Sequence, residues 1–238
     1  MKIALIGYGK MGKEIEAIAL ERKHTIPLII DLQNQNQLTI ENLKGVDVVI
    51  EFTNPEQAFA NVKKCFEANV PVVSGTTGWN DKVELLKKEC LAGNNTFIWS
   101  SNYSLGVNIF FKVNEFLAKM MNKFDNYEVS IEETHHTQKL DAPSGTAITL
   151  ANSIMNNVER KNTWQLDKPE SKDAIRINAI RRDNVPGIHT INYDSPVDYI
   201  EITHSAKSRK GFAFGAVLAA EFIKGKKGVF TMDDLLSL

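Results

Sequence analysis

The sequence predicts an α/β protein in two parts: a Rossmann-type doubly wound parallel sheet, and a second, α+β domain with a mixed or antiparallel sheet. Three observations lead there. Apolar strand-like runs alternate with helical runs through the first hundred residues. The string Gly7-Tyr8-Gly9-Lys10-Met11-Gly12 separates the first strand from the first helix. Beyond residue 127 the pattern changes to β runs joined by short turn clusters.

Lys2 to Ile6 reads as a strand, Lys13 to Arg22 as a helix with Ile15, Ile18 and Ala19 on one face, and Ile26 to Ile30 as a strand ending on Asp31. A GxGxxG string alone is weak, and a plain βαβ unit with turn glycines could carry it. Set between strand and helix, with an acid about 20 residues further on, it becomes a dinucleotide fingerprint. Gly7, Gly9 and Gly12, with Tyr8, Lys10 and Met11 between them, permit a tight turn and a close approach of pyrophosphate to a helix start. Asp31 can accept hydrogen bonds from a ribose. Gln33 to Gln37 reads as a polar loop.

Val46 to Phe52 is the next strand. It leads to Thr53 and to Asn54-Pro55, a cap and first helical residue for a helix reaching Glu67. Val70 to Val73 is a strand ending in Ser74-Gly75-Thr76-Thr77-Gly78, Asn80 can cap a helix through Cys90, and Thr96 to Trp99 gives way to Ser100-Ser101-Asn102-Tyr103. Open parallel sheets bind ligands across the carboxyl ends of their strands. Thr53, Gly75, Thr76, Thr77, Ser101, Asn102 and Tyr103 stand at such ends and could hydrogen-bond a nicotinamide or its ribose, although small polar residues also serve ordinary turns.

Leu105 to Met121 is a long helical run. Tyr127, Val129 and Ile131 then alternate with Glu128, Ser130 and Glu132, a strand with one dry and one wet face. It delivers Thr134-His135-His136-Thr137-Gln138-Lys139-Leu140-Asp141-Ala142-Pro143-Ser144-Gly145-Thr146-Ala147. Pro143 disfavours helical geometry at Ala142, so a turn precedes Ser144, a good N-cap for a helix to Met155. A helix start offers unpaired N–H groups and partial positive charge, and Gly145 leaves its backbone open to close approach. With His135, His136 and Lys139 beside Ser144, Gly145 and Thr146, the stretch reads as a pocket for a carboxylate or phosphate. His135 could donate a proton near neutral pH, and Lys139 is expected to have its pKa pushed down by its positive neighbours. A solvated basic loop before a capped helix is the plainer alternative.

Residues 159–173 read as a loop. Ala174 to Arg181, Ile188 to Tyr193 and Asp198 to His204 are three β runs, followed by a basic run at 207–210, a helix from Gly211 to Ile223 and a turn capped by Thr231. The last helix is apolar enough to return to the first domain. The expected division is therefore 1–103 with 212–238 as a dinucleotide-binding domain and 104–211 as a substrate-binding and oligomerisation domain.

With 238 residues, 43% apolar and 24% charged, the chain can bury a sizeable core. A formal charge of -1 gives no reason to expect nucleic-acid or membrane binding. Only Cys65 and Cys90 are present, so no Cys-rich zinc site or disulfide scaffold is expected, no metal site is assigned, and a reducing cytoplasm is the expected compartment. No signal-peptide pattern or apolar run of ~18 residues is seen.

These motifs together resemble the 4-hydroxy-tetrahydrodipicolinate (dihydrodipicolinate) reductase family. The likeness extends over nearly the whole chain: Glu51 to Pro55, Val73 to Gly78, Ser101 to Asn108, Glu133 to Ala147, Ile202 to His204 and Ser208-Arg209. It implies an enzyme that reduces a small dicarboxylate with NADH or NADPH. It also implies that His135 is the catalytic histidine, Lys139 the proton-donating lysine, and His136, Gly145 and Thr146 the holders of substrate carboxylates. Gly75 to Thr77 and Ser100 to Tyr103 fall on the nicotinamide side, Arg209 and Phe212 near the cofactor, and a homotetramer built on the second domain's sheet is implied. The glycine loop is one residue shorter than the family's usual Gly-x-x-Gly-x-Met-Gly. Leu32 and Gln33 replace a basic residue often found there, and Asp31 would repel a 2′-phosphate, which leans the expectation to NADH. Two other readings compete: another two-domain oxidoreductase, such as a homoserine or aspartate-semialdehyde dehydrogenase, and a non-catalytic nicotinamide sensor. The semialdehyde enzyme needs a nucleophilic cysteine, for which neither Cys65 nor Cys90 is placed.

Overall fold

A computed structural model describes residues 1–237. In chain order its elements are β1 (Lys2–Ile6), α1 (Lys10–Glu21), β2 (Thr25–Ile30), the one-turn α2 (Ile40–Leu43), β3 (Val48–Glu51), α3 (Pro55–Glu67), β4 (Val72–Ser74), α4 (Asn80–Ala92) and β5 (Thr96–Trp99). There follow α5 (Leu105–Met121), β6 (Glu128–His135), α6 (Gly145–Met155), β7 (Thr163–Leu166), β8 (Ala174–Arg181), β9 (Ile188–Asp194), β10 (Tyr199–Ser205), α7 (Lys210–Ile223), β11 (Gly228–Phe230) and α8 (Met232–Leu236). The chain forms two compact units, Met1–Leu105 with the segment from Lys210 onward, and Gly106–Arg209. Of the expected 212–238 segment, Leu238 lies outside the described residues.

The first unit holds a six-stranded sheet in the order β11-β5-β4-β3-β1-β2, every pair parallel. Its strands are apolar on both faces because helices cover both. Ile3, Leu5 and Ile50 point to the face carrying Ile15 and Ile18 of α1 and Ala216, Val217 and Ala220 of α7. Ala4, Ile6 and Val49 point the other way, toward Val62 and Phe66 of α3 and Val83 and Leu86 of α4. Each fully buried Val, Ile or Leu contributes about 1.5–3 kcal/mol, so it is this two-sided burial that holds the strand ends in place. Cys65 and Cys90 are buried in α3 and α4, and burial pushes both thiols up, Cys90 to about 11.

The second unit is a five-stranded mixed sheet, β10-β9-β6-β8-β7, in which β6 runs parallel to β8 and antiparallel to β9. One face is packed by α5 and α6: Phe110, Ala118, Leu150 and Ile154 meet Val129, Ile131, Ile177 and Ile191. Ser144 caps α6, its Oγ accepting from Ala147 N at 3.2 Å. Among the described residues no helix is long and apolar enough to cross a membrane.

Several boundaries differ from expectation. α1 begins at Lys10, not Lys13, because Gly9 is its N-cap and the remaining loop residues already follow the helical path. Asn80 does not cap α4; Trp79 holds that position, with no capping side-chain bond. The expected loop at 159–173 contains β7, and the expected polar loop at 33–37 contains a 3-10 turn at Gln35–Gln37. The helix α2, which had no counterpart in the sequence reading, is capped by Thr39 accepting from Asn42 N at 3.2 Å. β7 is secured by Lys161, whose buried ammonium donates to Glu128 Oε1 and to the carbonyls of Lys172 (2.6 Å) and Ala174 (3.3 Å). A polar sequence with one buried cation gives no periodic signal. β11, three residues long, was likewise too short to read.

The return of α7 to the first sheet depends on Gly215, where a Cβ would lie 1.7 Å from the carbonyl oxygen of Tyr103. Gly215→Ala is therefore expected to destabilise the protein by about 3 kcal/mol, since backbone cannot yield as a side chain would. A urea titration followed by circular dichroism checks this, and an unchanged midpoint would contradict the packing described.

Candidate active site

In the first unit the glycine string does three different jobs. Gly7 has φ +94°, and a Cβ there would sit 1.9 Å from the carbonyl oxygen of Phe52. At Gly12 a Cβ would meet the carbonyl oxygen of Gly7 at 2.3 Å, so this glycine lets α1 close on the loop. Gly9 has nothing within 4 Å of a notional Cβ and stands open at the helix N-cap, the place where phosphate oxygens can reach backbone N–H groups. A cavity of about 200 Å³ beside it is lined by Gly7, Gly9, Asp31, Leu32 and Thr53, and a groove of about 400 Å³ by Gly9, Lys10, Gly12, Gly75, Thr76 and Thr77. This cradle fits a dinucleotide: an acid at the ribose end and open backbone at its middle. Tyr8 donates its hydroxyl to Glu16 of α1.

Beneath the groove lies Glu51, wholly buried at the end of β3. Burial raises its carboxyl pKa, while hydroxyl donors work against that rise: Ser74 Oγ (2.6 Å), Thr53 Oγ1 and Thr76 Oγ1 (2.9 Å). The hydroxyls of Thr53 and Thr76, expected to face a nicotinamide, are therefore spent on Glu51. Tyr103 is also turned inward, its hydroxyl reaching the carbonyls of Ser74 (2.9 Å) and Ile98 (3.1 Å). The loop after β4 is tied from the other side, since the indoles of Trp79 and Trp99 donate to the Thr76 carbonyl at 2.6 and 2.8 Å. Gly75 is required where a Cβ would strike the Phe52 ring at 2.1 Å. Ser100 accepts from Asn102 N at 3.1 Å and shapes the next loop, while Thr77 and Ser101 are exposed. Thr53, Thr76 and Tyr103 thus build the loops, whose backbone and exposed Thr77 and Ser101 are what a cofactor would meet. Asp31 is exposed at the end of β2.

In the second unit the centre is Glu133, which has no exposed surface. Its carboxylate accepts from Ser144 N (3.1 Å to each oxygen) and lies 3.5 Å from the Arg181 guanidinium, 3.6 Å from His189 Nε2 and 3.7 Å from His135 Nδ1. Burial would raise its pKa, but the His189 ring at 3.6 Å, the hydrogen bonds from Ser144 and the nearby His135 hold it at about 2. The cluster balances its own charge: the carboxylate that might have drawn a cation is already held by the Arg181 guanidinium and the Ser144 amide. His135 is 7% exposed, packed edge-on to His189 with ring centroids 5.0 Å apart and covered by Gly187, where a Cβ would come within 3.1 Å of Nε2. Burial first, then repulsion from His189, lowers His135 to about 4, so it is neutral at pH 7 and is not the ready donor expected from an isolated imidazole. Lys139 is not surrounded by like charge, as expected, but paired with Asp141, its Nζ 2.8 Å from both carboxylate oxygens. Arg181 braces this loop by donating to the carbonyls of Asp141 (2.6 Å) and Lys139 (3.3 Å).

Above the cluster, His136 is half-buried and Gly145 exposed, with nothing within 4 Å of a notional Cβ, so the amide end of α6 is open to an anion. His135, His136, Lys139, Ser144, Gly145 and Thr146 are thus gathered in one place, at the carboxyl end of β6 and the start of α6. Arg209 is exposed ahead of α7 and Phe212 half-buried in its first turn. The sequence reading missed Glu133, Arg181 and His189 as site residues.

A glycine-lined dinucleotide cradle on a Rossmann-type sheet, and a separate α+β unit bearing an anion recess with imidazoles and an ammonium, define an NAD(P)-dependent oxidoreductase. Models of dihydrodipicolinate reductase match the chain in both parts, the N-terminus over residues 1–103 and the C-terminus over 106–236. The 4-hydroxy-tetrahydrodipicolinate reductase of Christiangramia forsetii is 51% identical over all of this chain and 98% of its own length. That of Aquifex aeolicus is 36% identical over 97% and 96%. The solved structure of dipicolinate-bound dihydrodipicolinate reductase from Paenisporosarcina sp. TG-14 shares the fold, with a TM-score of 0.80, 22% identity and 97% of each chain covered. The chain belongs to the dihydrodipicolinate reductase family, whose members use NAD(P)H.

Both Glu133 and His135 have folded-state pKa values below their ordinary ones, so the unfolded chain binds more protons and stability must fall on acidification. His135 acts between its ordinary 6.5 and about 4, and Glu133 between 4.5 and about 2. The His135 limb is expected to remove about 3 kcal/mol between pH 7 and 4. Urea midpoints across that range check it: His135→Asn should flatten the limb, and a wild-type midpoint that stays level would contradict the burial described.

Proposed function

We propose that the protein reduces 4-hydroxy-tetrahydrodipicolinate, after loss of water, to tetrahydrodipicolinate in diaminopimelate and lysine biosynthesis. The observation that carries this is the recess at the start of α6, where an open helix end, His136 and Lys139 converge over the Glu133 cluster in a chain of this family. A planar ring with two carboxylates is the ligand such a recess suits, because its charge meets the amide end of α6 on one side and a cation on the other. His136, Gly145 and Thr146 hold the carboxylates, and Ser144 fixes the helix that presents them. Lys139 donates the proton: release from Asp141 to a substrate carbon or nitrogen puts its ammonium at the reacting ring. His135, neutral in the empty site, lies beneath them. When bound, the nicotinamide supplies the hydride.

In the first unit Gly9, Lys10 and Met11 meet the pyrophosphate and Asp31 the ribose. Gly75, Thr77 and the 100–103 loop serve the nicotinamide end, and Arg209 and Phe212 also bind the cofactor. Asp31 repels a 2′-phosphate, with Leu32 beside it in place of a base, which favours NADH. The enzyme works in the cytoplasm as a homotetramer assembled through the second sheet; exposed Val197 and Tyr199 at its β10 edge support that assembly.

Absorbance-monitored oxidation of NADH, with dihydrodipicolinate synthase and its substrates generating the unstable substrate in place, tests the reading. Lys139→Ala should lower turnover about 10²- to 10³-fold while NADH affinity stays within about threefold, because the charge serves the substrate and not the pyrophosphate. NADH should bind roughly tenfold more tightly than NADPH. Unchanged turnover in the variant, or no oxidation by the wild type, would reject the mechanism.

A further inference from the structure

We propose that Glu133 and His189 are positioning residues that make substrate binding draw a proton onto His135, so that the dianion is received by a cation that the empty site does not carry. This rests on the reading of the recess as a dicarboxylate site.

The geometry is that of a proton-ready pair stopped just short of bonding. His135 Nδ1 is buried and has no hydrogen-bond partner, yet it lies 3.7 Å from Glu133 Oε2, a few tenths of an ångström beyond hydrogen-bond reach. A proton on Nδ1 would satisfy that nitrogen and turn the approach into a charge-assisted hydrogen bond to a carboxylate already ionised. The carboxylate cannot swing away, because Ser144 N holds both its oxygens at 3.1 Å and His189 Nε2 stands 3.6 Å from Oε2. His189 is in turn fixed by Ser144 Oγ at 3.1 Å. The helix start that would receive a substrate carboxylate and the acid that would receive the imidazolium are thus joined through one residue, Ser144.

The balance of charge explains why the proton is absent beforehand. Around His135 stand Glu133 on its own strand, His189 on β9 with His204 beyond it on β10, Arg181 on β8, and Lys139 with its partner Asp141 on the loop. One buried acid faces a guanidinium, an ammonium and a second imidazole, so a further positive charge is disfavoured. Two carboxylates arriving over Lys139 and the amides of α6 reverse the sum, and a proton drawn from solvent then comes to rest on Nδ1, facing Glu133. The device lets the recess stay near neutral when empty, where an uncompensated buried cation would cost stability, and become cationic only with its ligand present.

Calorimetric titration of the full chain with pyridine-2,6-dicarboxylate, in two buffers of different ionisation enthalpy, measures the protons taken up. At pH 6 the wild type should absorb about half a proton or more per ligand bound, and affinity should fall by about threefold or more per pH unit there, levelling off at higher pH where His135 no longer charges. Glu133→Gln should bind more weakly with uptake near zero, and Glu133→Asp should restore part of the uptake, which a purely structural role would not do. Should Glu133→Gln fail to fold, nitrogen-15 spectra of the wild-type histidines decide instead: His135 must move to the imidazolium pattern on adding the ligand. Binding without proton uptake, or uptake undiminished in Glu133→Gln, overturns the inference and leaves the reductase reading standing. Failure of the wild type both to bind the dicarboxylate and to oxidise NADH in the coupled assay overturns the reading and the inference with it.

Discussion

Glu133 has no exposed surface and is ionised at neutral pH, and the second unit is arranged to make that tolerable. A buried carboxylate without partners costs several kcal/mol after every relaxation the protein can offer. Here the offset comes from four directions: the Ser144 amide, the Arg181 guanidinium and the rings of His135 and His189. Each partner belongs to a different part of the chain, so meeting the charge fixes the start of α6, the ends of β6 and β8 and the first turn of β9. The same Arg181 braces the Lys139–Asp141 loop through two carbonyls. The recess is therefore a by-product of burying one acid well.

The first unit uses the same device with a different chemistry. Glu51 is equally buried, but its partners are hydroxyls and not cations, and burial pushes its pKa up where that of Glu133 is held down. It draws together the ends of β3 and β4 through Thr53, Ser74 and Thr76. The loops after these strands are tied down because their side chains are turned inward. A cationic partner there would have added positive charge beneath the loops; hydroxyls add none.

Much of this was legible in the sequence. The glycine string, Asp31, the Asn54 and Ser144 caps and the His-His-x-x-Lys stretch were readable because each is local, a spacing along one or two turns. Glu133 was open to the same logic and was missed: Val129 and Ile131 mark the dry face of β6, and alternation puts Glu133 on that face too. By the same parity His189 travels with the buried Ile191 and Tyr193 on β9. A charged residue in register with core residues was the available signal. The inward turn of Thr53, Thr76 and Tyr103 was not readable, since it depends on which strands become neighbours. β7 depended on Lys161, whose partners come from two other segments.

The central claim is that the start of α6, braced by Glu133, is where the carboxylates of the substrate are received. A crystal structure of the protein with NADH and pyridine-2,6-dicarboxylate tests it most directly. The account predicts one ligand carboxylate within hydrogen-bond distance of the Gly145 and Thr146 amides and the ring beside Lys139, with Asp141 displaced from its ammonium. A ligand bound elsewhere, with Lys139 still clasped to Asp141 and the helix end facing solvent, would contradict it.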